Sequence, residues 1–423
     1  MSNLISRLAV AMVLAGAGCS SGGEAVTPVP VEAGPAAVPI GEWADAAGAC
    51  PAGAPRIELK SVSDLQNASR GEGSFAGDPA NACYFIRNGT YRQSGGTLLF
   101  YVLKGGPAGG RRTFVGESRA GVVLVGRVTV ENGVSNVTVS NLTVTLTGYS
   151  QGGTYNTITL GKGSDVTLDH LTVTGDCKTG ARGGHIEVNG TRNLLVDSAL
   201  VENFGRCGGG GHEDHGIYLA SGRDITIRNS VIRGNASRGI QLYTGEGDYG
   251  TLVNVLIERN RIYENGHGNY EDGIVVNGRN TGTIDGLIVR RNLIYRNYYS
   301  GIRFAGPATR GVQVVQNTFH GNGSGSSSGS RSELNVDDEG MAAGSVVEQN
   351  IFSIGNSLIN DCYDGSRLGF AVRNNVVNGN VPGGGAGSCL SNMIKADPMF
   401  VDANAGDFRT RNGAVSAYGA YAQ

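Results

Sequence analysis

Residues 208–215 read Gly-Gly-Gly-Gly-His-Glu-Asp-His, the densest run of titratable side chains in the chain. His212 and His215 lie in it, and His185 lies one repeat upstream; the chain has only 6 histidines. Imidazole titrates near neutral pH, so it suits proton transfer. His215 is the candidate base and His185 a second candidate. Tyr218 can serve as the acid or as an alternative base, and Asp214 stands beside His215. Arg238 can grip a carboxylate through two parallel hydrogen bonds. Together His215, Tyr218, Arg238, Asp214 and His185 form the candidate catalytic set. Arg303, Gln241, Glu187 and Asp272 are the candidate substrate-binding set. Other readings stay open. Glu187, Asp214 and Asp272 on neighbouring units could bind Ca²⁺ through oxygen ligands, although no cofactor is certain. The same carboxylates could act as acid and base in glycoside hydrolysis. His212, Asp214 and His215 could hold a metal. Asp337-Asp338-Glu339-Gly340 reads as a solvated turn or a second Ca²⁺ site.

These residues recur at intervals, and the interval shows what positions them. Short apolar-x-apolar runs begin at Ile158, Ile186, Ile217, Ile240, Ile274, Ile302, Leu334 and Leu358. The steps are 28, 31, 23, 34, 28, 32 and 24 residues. Second runs end in Asn229, Asn260, Asn292, Asn317, Asn350 and Asn374, and third runs in Asn235, Asn265, Asn297, Asn322, Asn356 and Asn380. A unit this short cannot bury its own apolar face, so units must stack into a solenoid. Asn suits the turns because it tolerates left-handed backbone, and stacked Asn side chains can form hydrogen-bonded ladders. The period predicts an all-β parallel β-helix of about ten coils.

Stacking creates two columns beside the inward Ile positions. One holds Glu187, Tyr218, Gln241, Val275, Arg303 and Asn335. The other holds His185, Gly216, Gly239, Gly273, Gly301 and Glu333. Four glycines in line either leave a shallow trench for a chain-like ligand or simply open each strand after a turn. Composition agrees with a turn-rich β protein. Gly supplies 70 of 423 residues, without the collagen period, and a helical bundle would be penalised by so many. Net charge is −2, which gives no reason to expect nucleic acid as a partner.

The N-terminus carries Arg7 and an apolar run, Leu8 to Ala17, too short to span a bilayer. It leads into Leu14-Ala15-Gly16-Ala17-Gly18-Cys19 and resembles a bacterial lipoprotein signal, with Gly16 where Leu is usual. The resemblance implies a signal peptide over 1–18, lipidation of Cys19 and a Pro/Gly-rich tether over 19–50. The β-helix domain then covers 51–423. The expected location is the cell envelope, lipid-anchored at the outer membrane, or secreted; the expected partner there is the membrane, and the expected state is a monomer. The other cysteines are Cys50, Cys83, Cys177, Cys207, Cys362 and Cys389. Their spacings are close to one coil, so neighbours should pair across adjacent rungs in an oxidising compartment. Ser63-Asp64-Leu65-Gln66 looks like a capping box opening a short helix that covers the end of the stack. The low-complexity stretch from Asn322 to Ser332 reads as a surface loop. The tail from Ala396 to Arg409 should cover the other end.

The motifs Asp64-Leu-Gln-Asn-Ala68, Asn88-Gly-Thr-Tyr91, Lys104-Gly-Gly-Pro-Ala-Gly-Gly110, Gly116-Glu117 and Val122 to Gly126 resemble the opening coils of pectate-lyase-like right-handed β-helix proteins. They are most similar to the chondroitinase B and alginate lyase group. Gly216-Ile-Tyr-Leu219 and Ile225-Thr-Ile-Arg-Asn-Ser-Val-Ile-Arg-Gly-Asn235 extend the resemblance across residues 55–400. It implies a right-handed, single-stranded parallel β-helix acting on polysaccharide. The implied chemistry is β-elimination from an acidic, uronate-containing chain. That step needs a cation on the substrate carboxylate, a base for the C5 proton and an acid for the leaving oxygen. The group's usual base is Lys, but no Lys lies between Lys178 and Lys395, so none of its catalytic residues carries over. A glycoside hydrolase or an epimerase on the same scaffold, and a non-catalytic glycan-binding surface protein, are the alternatives.

Overall fold

The computed structural model describes residues 48–422 except 93–98, 149–155, 179–182, 245–249, 268–270, 279–281, 307, 324–331, 337–343, 354–356, 361–369 and 380–388. The expected signal peptide, Cys19 and most of the tether lie outside the described residues. So do most of the 322–332 loop and Asp337 to Gly340.

Each coil carries three short strands joined by turns. All the coil-to-coil pairings are parallel, with register running straight up the stack. The inward position of the first strand passes from Ile158 to Ile186, Ile217, Ile240, Ile274, Ile302 and Leu334. These side chains are fully buried. Each contributes roughly 1.5–3 kcal/mol of burial that no single coil could provide alone. The outward position passes through Glu187, Tyr218, Gln241, Val275, Arg303 and Asn335, as the periodicity predicts. The next coil pairs Asn335 with Asn360, one residue later than expected from Leu358.

The Asn ladders form, with one shift. Left-handed backbone between the second and third strands falls on Asn229, Arg259, Arg291, Gln316, Gln349 and Asn374. The following residue turns inward. So the ladder runs Ser230, Asn260, Asn292, Asn317, Asn350, Asn375, each accepting from the backbone N–H of the residue one coil before. Asn229 and Asn374 are therefore the turn residues, and their neighbours carry the ladder. A second ladder links Asn235, Asn265, Asn297 and Asn322 through side-chain bonds of 2.9–3.0 Å. It ends on the Glu333 carboxylate, which accepts from Asn322 at 2.5 Å.

The helix Val62–Arg70 covers the N-terminal end of the stack and buries Leu65 and Ala68. Its capping box is Ser61 with Asp64, two residues before the expected Ser63. Cys50–Cys83 and Cys177–Cys207 are bridged as expected. Cys389 is also disulfide-bonded, and its expected partner Cys362 lies outside the described residues. The tail does not close the end of the stack. It folds back along the outside of the third strands. There Phe408 packs on Tyr295, and Arg296 donates to the carbonyls of Ala403 and Asn404. Stacked Tyr263 and Tyr295 form an apolar flank that the tail covers.

Candidate functional site

The glycine column faces the interior. A Cβ on Gly239 would lie 2.7 Å from Gly273 O and 2.8 Å from Asn265 Nδ2; on Gly273 it would lie 2.7 Å from both Gly301 O and Asn297 Nδ2. Gly216 and Gly301 meet Asn235 and Asn322 in the same way. Each glycine thus makes room for the ladder Asn of its own coil. The trench reading is replaced by a packing one: glycine is needed here for space. One coil upstream the pair is exchanged. Phe204 takes the ladder place, and His185 stacks on it at 4.4 Å with 16° between the rings. His185 is buried inside the helix, bonded to Thr157, and burial pushes its pKa down to about 3. It is a core residue, so the catalytic assignment for His185 is corrected.

One residue earlier, the strand openings line up from coil to coil. Backbone bonds from Gly216, Gly239, Gly273 and Gly301 to the carbonyls of Arg238, Asp272, Ser300 and Ser332 set the column His215, Arg238, Asp272, Ser300, Ser332. It runs beside the column Tyr218, Gln241, Val275, Arg303, Asn335. The His215 and Tyr218 rings are 5.6 Å apart. Burial, then the charge of Arg238, holds the His215 pKa well below its ordinary value, so the imidazole is neutral. Arg238 pairs with Glu271 at 2.8 Å and donates to the carbonyl of His212. Glu271 also meets His212 at 3.5 Å. Asp272 is fully buried and accepts from the backbone N–H of Ser300 at 3.0 Å. Burial and the neighbouring Glu271 raise its pKa to about 7, against the opposing pull of Arg238 and Arg303.

Buried polar atoms without a partner collect on this face. They include His215 Nδ1, Arg238 Nε, Gln241 Oε1, Asp272 Oδ2, Ser300 Oγ, Ser332 Oγ and Asn335 Oδ1. Buried polar groups are normally bonded, so a row of exceptions on consecutive coils is unusual. Seven such atoms spread over five coils span about 20 Å at a coil spacing of ~4.8 Å.

Two other expectations change. Asp214 faces the loop before it. Arg206 donates to it from Nε at 2.8 Å, from its terminal nitrogen at 3.1 Å and from the backbone at 3.0 Å. A Cβ on Gly205 would lie 2.3 Å from Asp214 Cβ, so the loop closes tightly on the carboxylate. Together with Cys177–Cys207, this clamp positions the strand start at His215; Asp214 is a positioning residue. The expected Ca²⁺ set is not assembled either. Asp214 is bound to Arg206, Glu187 to Asn156 and Asn189, and Asp272 to Ser300. Among the described residues, no three His, Cys, Asp or Glu side chains converge to hold a metal, and His212, Asp214 and His215 do not form such a group. Glu271, Asn156 and Asn189 were missed from the sequence. Glu271 is adjacent to a column residue, and Asn189 is two residues after Glu187 on the same strand.

Residues 118–284 match the family described as right handed beta helix region. No curated protein matches. The structure is similar to a rhamnogalacturonan lyase, with 15% identity, a TM-score of 0.49 and coverage of 87% of this chain and 100% of that one. It is also similar to the A-module of an Azotobacter vinelandii mannuronan C-5 epimerase, with 16% identity, a TM-score of 0.48 and coverage of 79% and 94%. A pectate lyase is similar at 15% identity, with a TM-score of 0.47 and coverage of 83% and 84%. The chemistry rests on the site alone. The parallel register running from coil to coil makes this chain a parallel β-helix protein.

Proposed function

We propose that this protein cleaves an acidic, uronate-containing polysaccharide by β-elimination, with the chain lying along the two outward columns. The observation that carries the reading is the row of partnerless buried polar atoms between Arg238 and Arg303. Arg238 keeps Nε unbonded among them, and Arg303 stands two coils on. Two guanidinium groups flanking one coil suit a substrate carboxylate, and neutralising it acidifies the C5 proton. His215, neutral and with Nδ1 unbonded, accepts that proton. Tyr218 beside it protonates the leaving oxygen. Asp272 lies between the arginines. Ionised, it competes with the substrate carboxylate for them; protonated, it does not.

The test is short-wavelength ultraviolet absorbance of the unsaturated uronate when purified protein meets alginate, pectate and glycosaminoglycans. Absorbance that depends on Arg238 supports the reading; none across the panel overturns it. Glycoside hydrolysis is the second reading. It is favoured by Asp272 alone, since a carboxyl with a pKa of about 7 is a competent acid. New reducing ends without absorbance would select it. We further place the protein on the cell envelope through lipidated Cys19, on the strength of residues 14–19. Replacing Cys19→Ser should move it from the membrane fraction to the soluble one, and unchanged fractionation would refute the anchor.

A further inference from the structure

We infer that the tail is an acid-sensitive strap on the outside of the coils, with His320 as the group that loosens it. Strands Phe400–Asp402 and Asp407–Thr410 pair antiparallel in a two-stranded sheet of their own. A lone hairpin is marginal in water, so this one depends on what its residues meet on the third strands. Three contacts hold it there. Arg261 donates to the carbonyl of Gly406 at 3.5 Å. Arg296 donates to the carbonyls of Ala403 and Asn404 at 3.0 and 2.8 Å. The third contact is an aromatic cluster. The Phe400 and Phe408 rings lie 5.2 Å apart, and the His320 ring meets both, at 5.9 and 5.3 Å. The two arginines stay charged at any ordinary pH, so of these three contacts only the cluster titrates.

A proton on His320 finds no welcome in the docked state. Its Nδ1 is buried without a hydrogen bond. In the coil register it lies between Tyr295 and Ser353, and neither is a carboxylate. On the coils, Arg261 and Arg296 are cations, and Glu264 pairs with Arg296 at 3.9 Å. On the hairpin, Asp402 accepts from the backbone N–H groups of Asn404 and Ala405, and Asp407 pairs with Arg409 at 2.5 Å. Asp397, just before it, accepts from Asn378 and from the backbone N–H of Met399. Arg411, just after it, donates to the carbonyl of Val401. Burial, then the charge of Arg296, holds the His320 pKa below its ordinary value. With the tail released, the ring meets water and its pKa returns to about 6.5. Well above that pH the ring is neutral in both states, and docking is at full strength. As pH falls below about 6.5, the released state takes up the proton first, so docking weakens by up to about tenfold per unit until the docked pKa is reached. Release uncovers the stacked Tyr263 and Tyr295 and the fully buried Leu293.

The experiment is amide hydrogen exchange of the intact protein and of His320→Phe, at about pH 7.5 and at about pH 5. Comparing the two chains at one pH cancels the intrinsic dependence of exchange on pH. The ratio of wild-type to variant exchange rates over 400–410 should rise about tenfold from the higher pH to the lower. Amides of the coil strand Leu252–Glu258 should show no such rise. His320→Gln provides a second chain that does not titrate, should His320→Phe fail to fold. A ratio over 400–410 that stays level or falls overturns the inference. So does an equal rise in Leu252–Glu258, which would mean that the coils open together with the tail.

Discussion

Two neighbouring rows of the same coils treat polar groups in opposite ways. On the inside, Asn265 donates from Nδ2 to Asn297 and to two carbonyls, and its Oδ1 accepts from the coil before. On the outside, a few residues away, His215, Arg238, Asp272 and Ser300 keep buried atoms without partners. The glycines between them serve the inner row, by letting each Asn approach the next backbone. The difference separates what holds the stack together from what is left to meet a ligand. A satisfied buried network stabilises, whereas partnerless atoms cost stability and are kept where function needs them.

Substitutions on the two rows should therefore part in their effects. Arg238→Ala should lower turnover about a hundred- to a thousandfold, with some loss of stability because Glu271 is left without its partner, and Glu271→Gln in the same chain should recover that stability but not the turnover. Loss of folding with the activity would place Arg238 in the scaffold. Asn297→Ala should do the reverse. It removes the acceptor of Asn265 and leaves buried groups unbonded, so urea unfolding should show a loss of about 3 kcal/mol. Gly239→Ala should cost about 2 kcal/mol in the same measurement, because its Cβ meets Gly273 O. A neutral result would reopen the glycine column as a groove.

The two rows also part in their response to pH. Asp272 and Glu333 have folded pKa values raised to about 7 and about 8 by burial. Below about pH 4 both states are protonated. As pH rises from there to the folded values, the unfolded chain releases the proton first, so stability falls, by at most roughly 1.4 kcal/mol per unit per group. Glu333→Gln should flatten the part of this slope owed to the inner row without touching activity. Asp272→Asn should flatten the rest and also remove a fall in rate above about pH 7. A stability curve unchanged by Glu333→Gln would contradict its burial at the end of the ladder.

The period of Ile and Asn residues was enough to place the strands and the outward column to the residue from Glu187 to Asn335. It was not enough to orient the glycine column. In–out alternation holds within a strand, but Gly216 and its equivalents sit where the chain is still turning, and there the Cβ direction belongs to the turn. His185 was misread for the same reason. Asp214 was misread because its partner, Arg206, is eight residues away in a loop outside the repeat. The Asn156–Glu187 contact escaped notice because Asn156 comes from the preceding coil, at a position with no periodic signal.

The most direct test of the central claim is amide hydrogen exchange with and without a uronate-containing oligosaccharide. Bound ligand should protect 215–218, 238–241, 271–275 and 300–303 and leave the third strands unchanged. Protection confined to the third strands or the tail, or none on the outward columns, would contradict it.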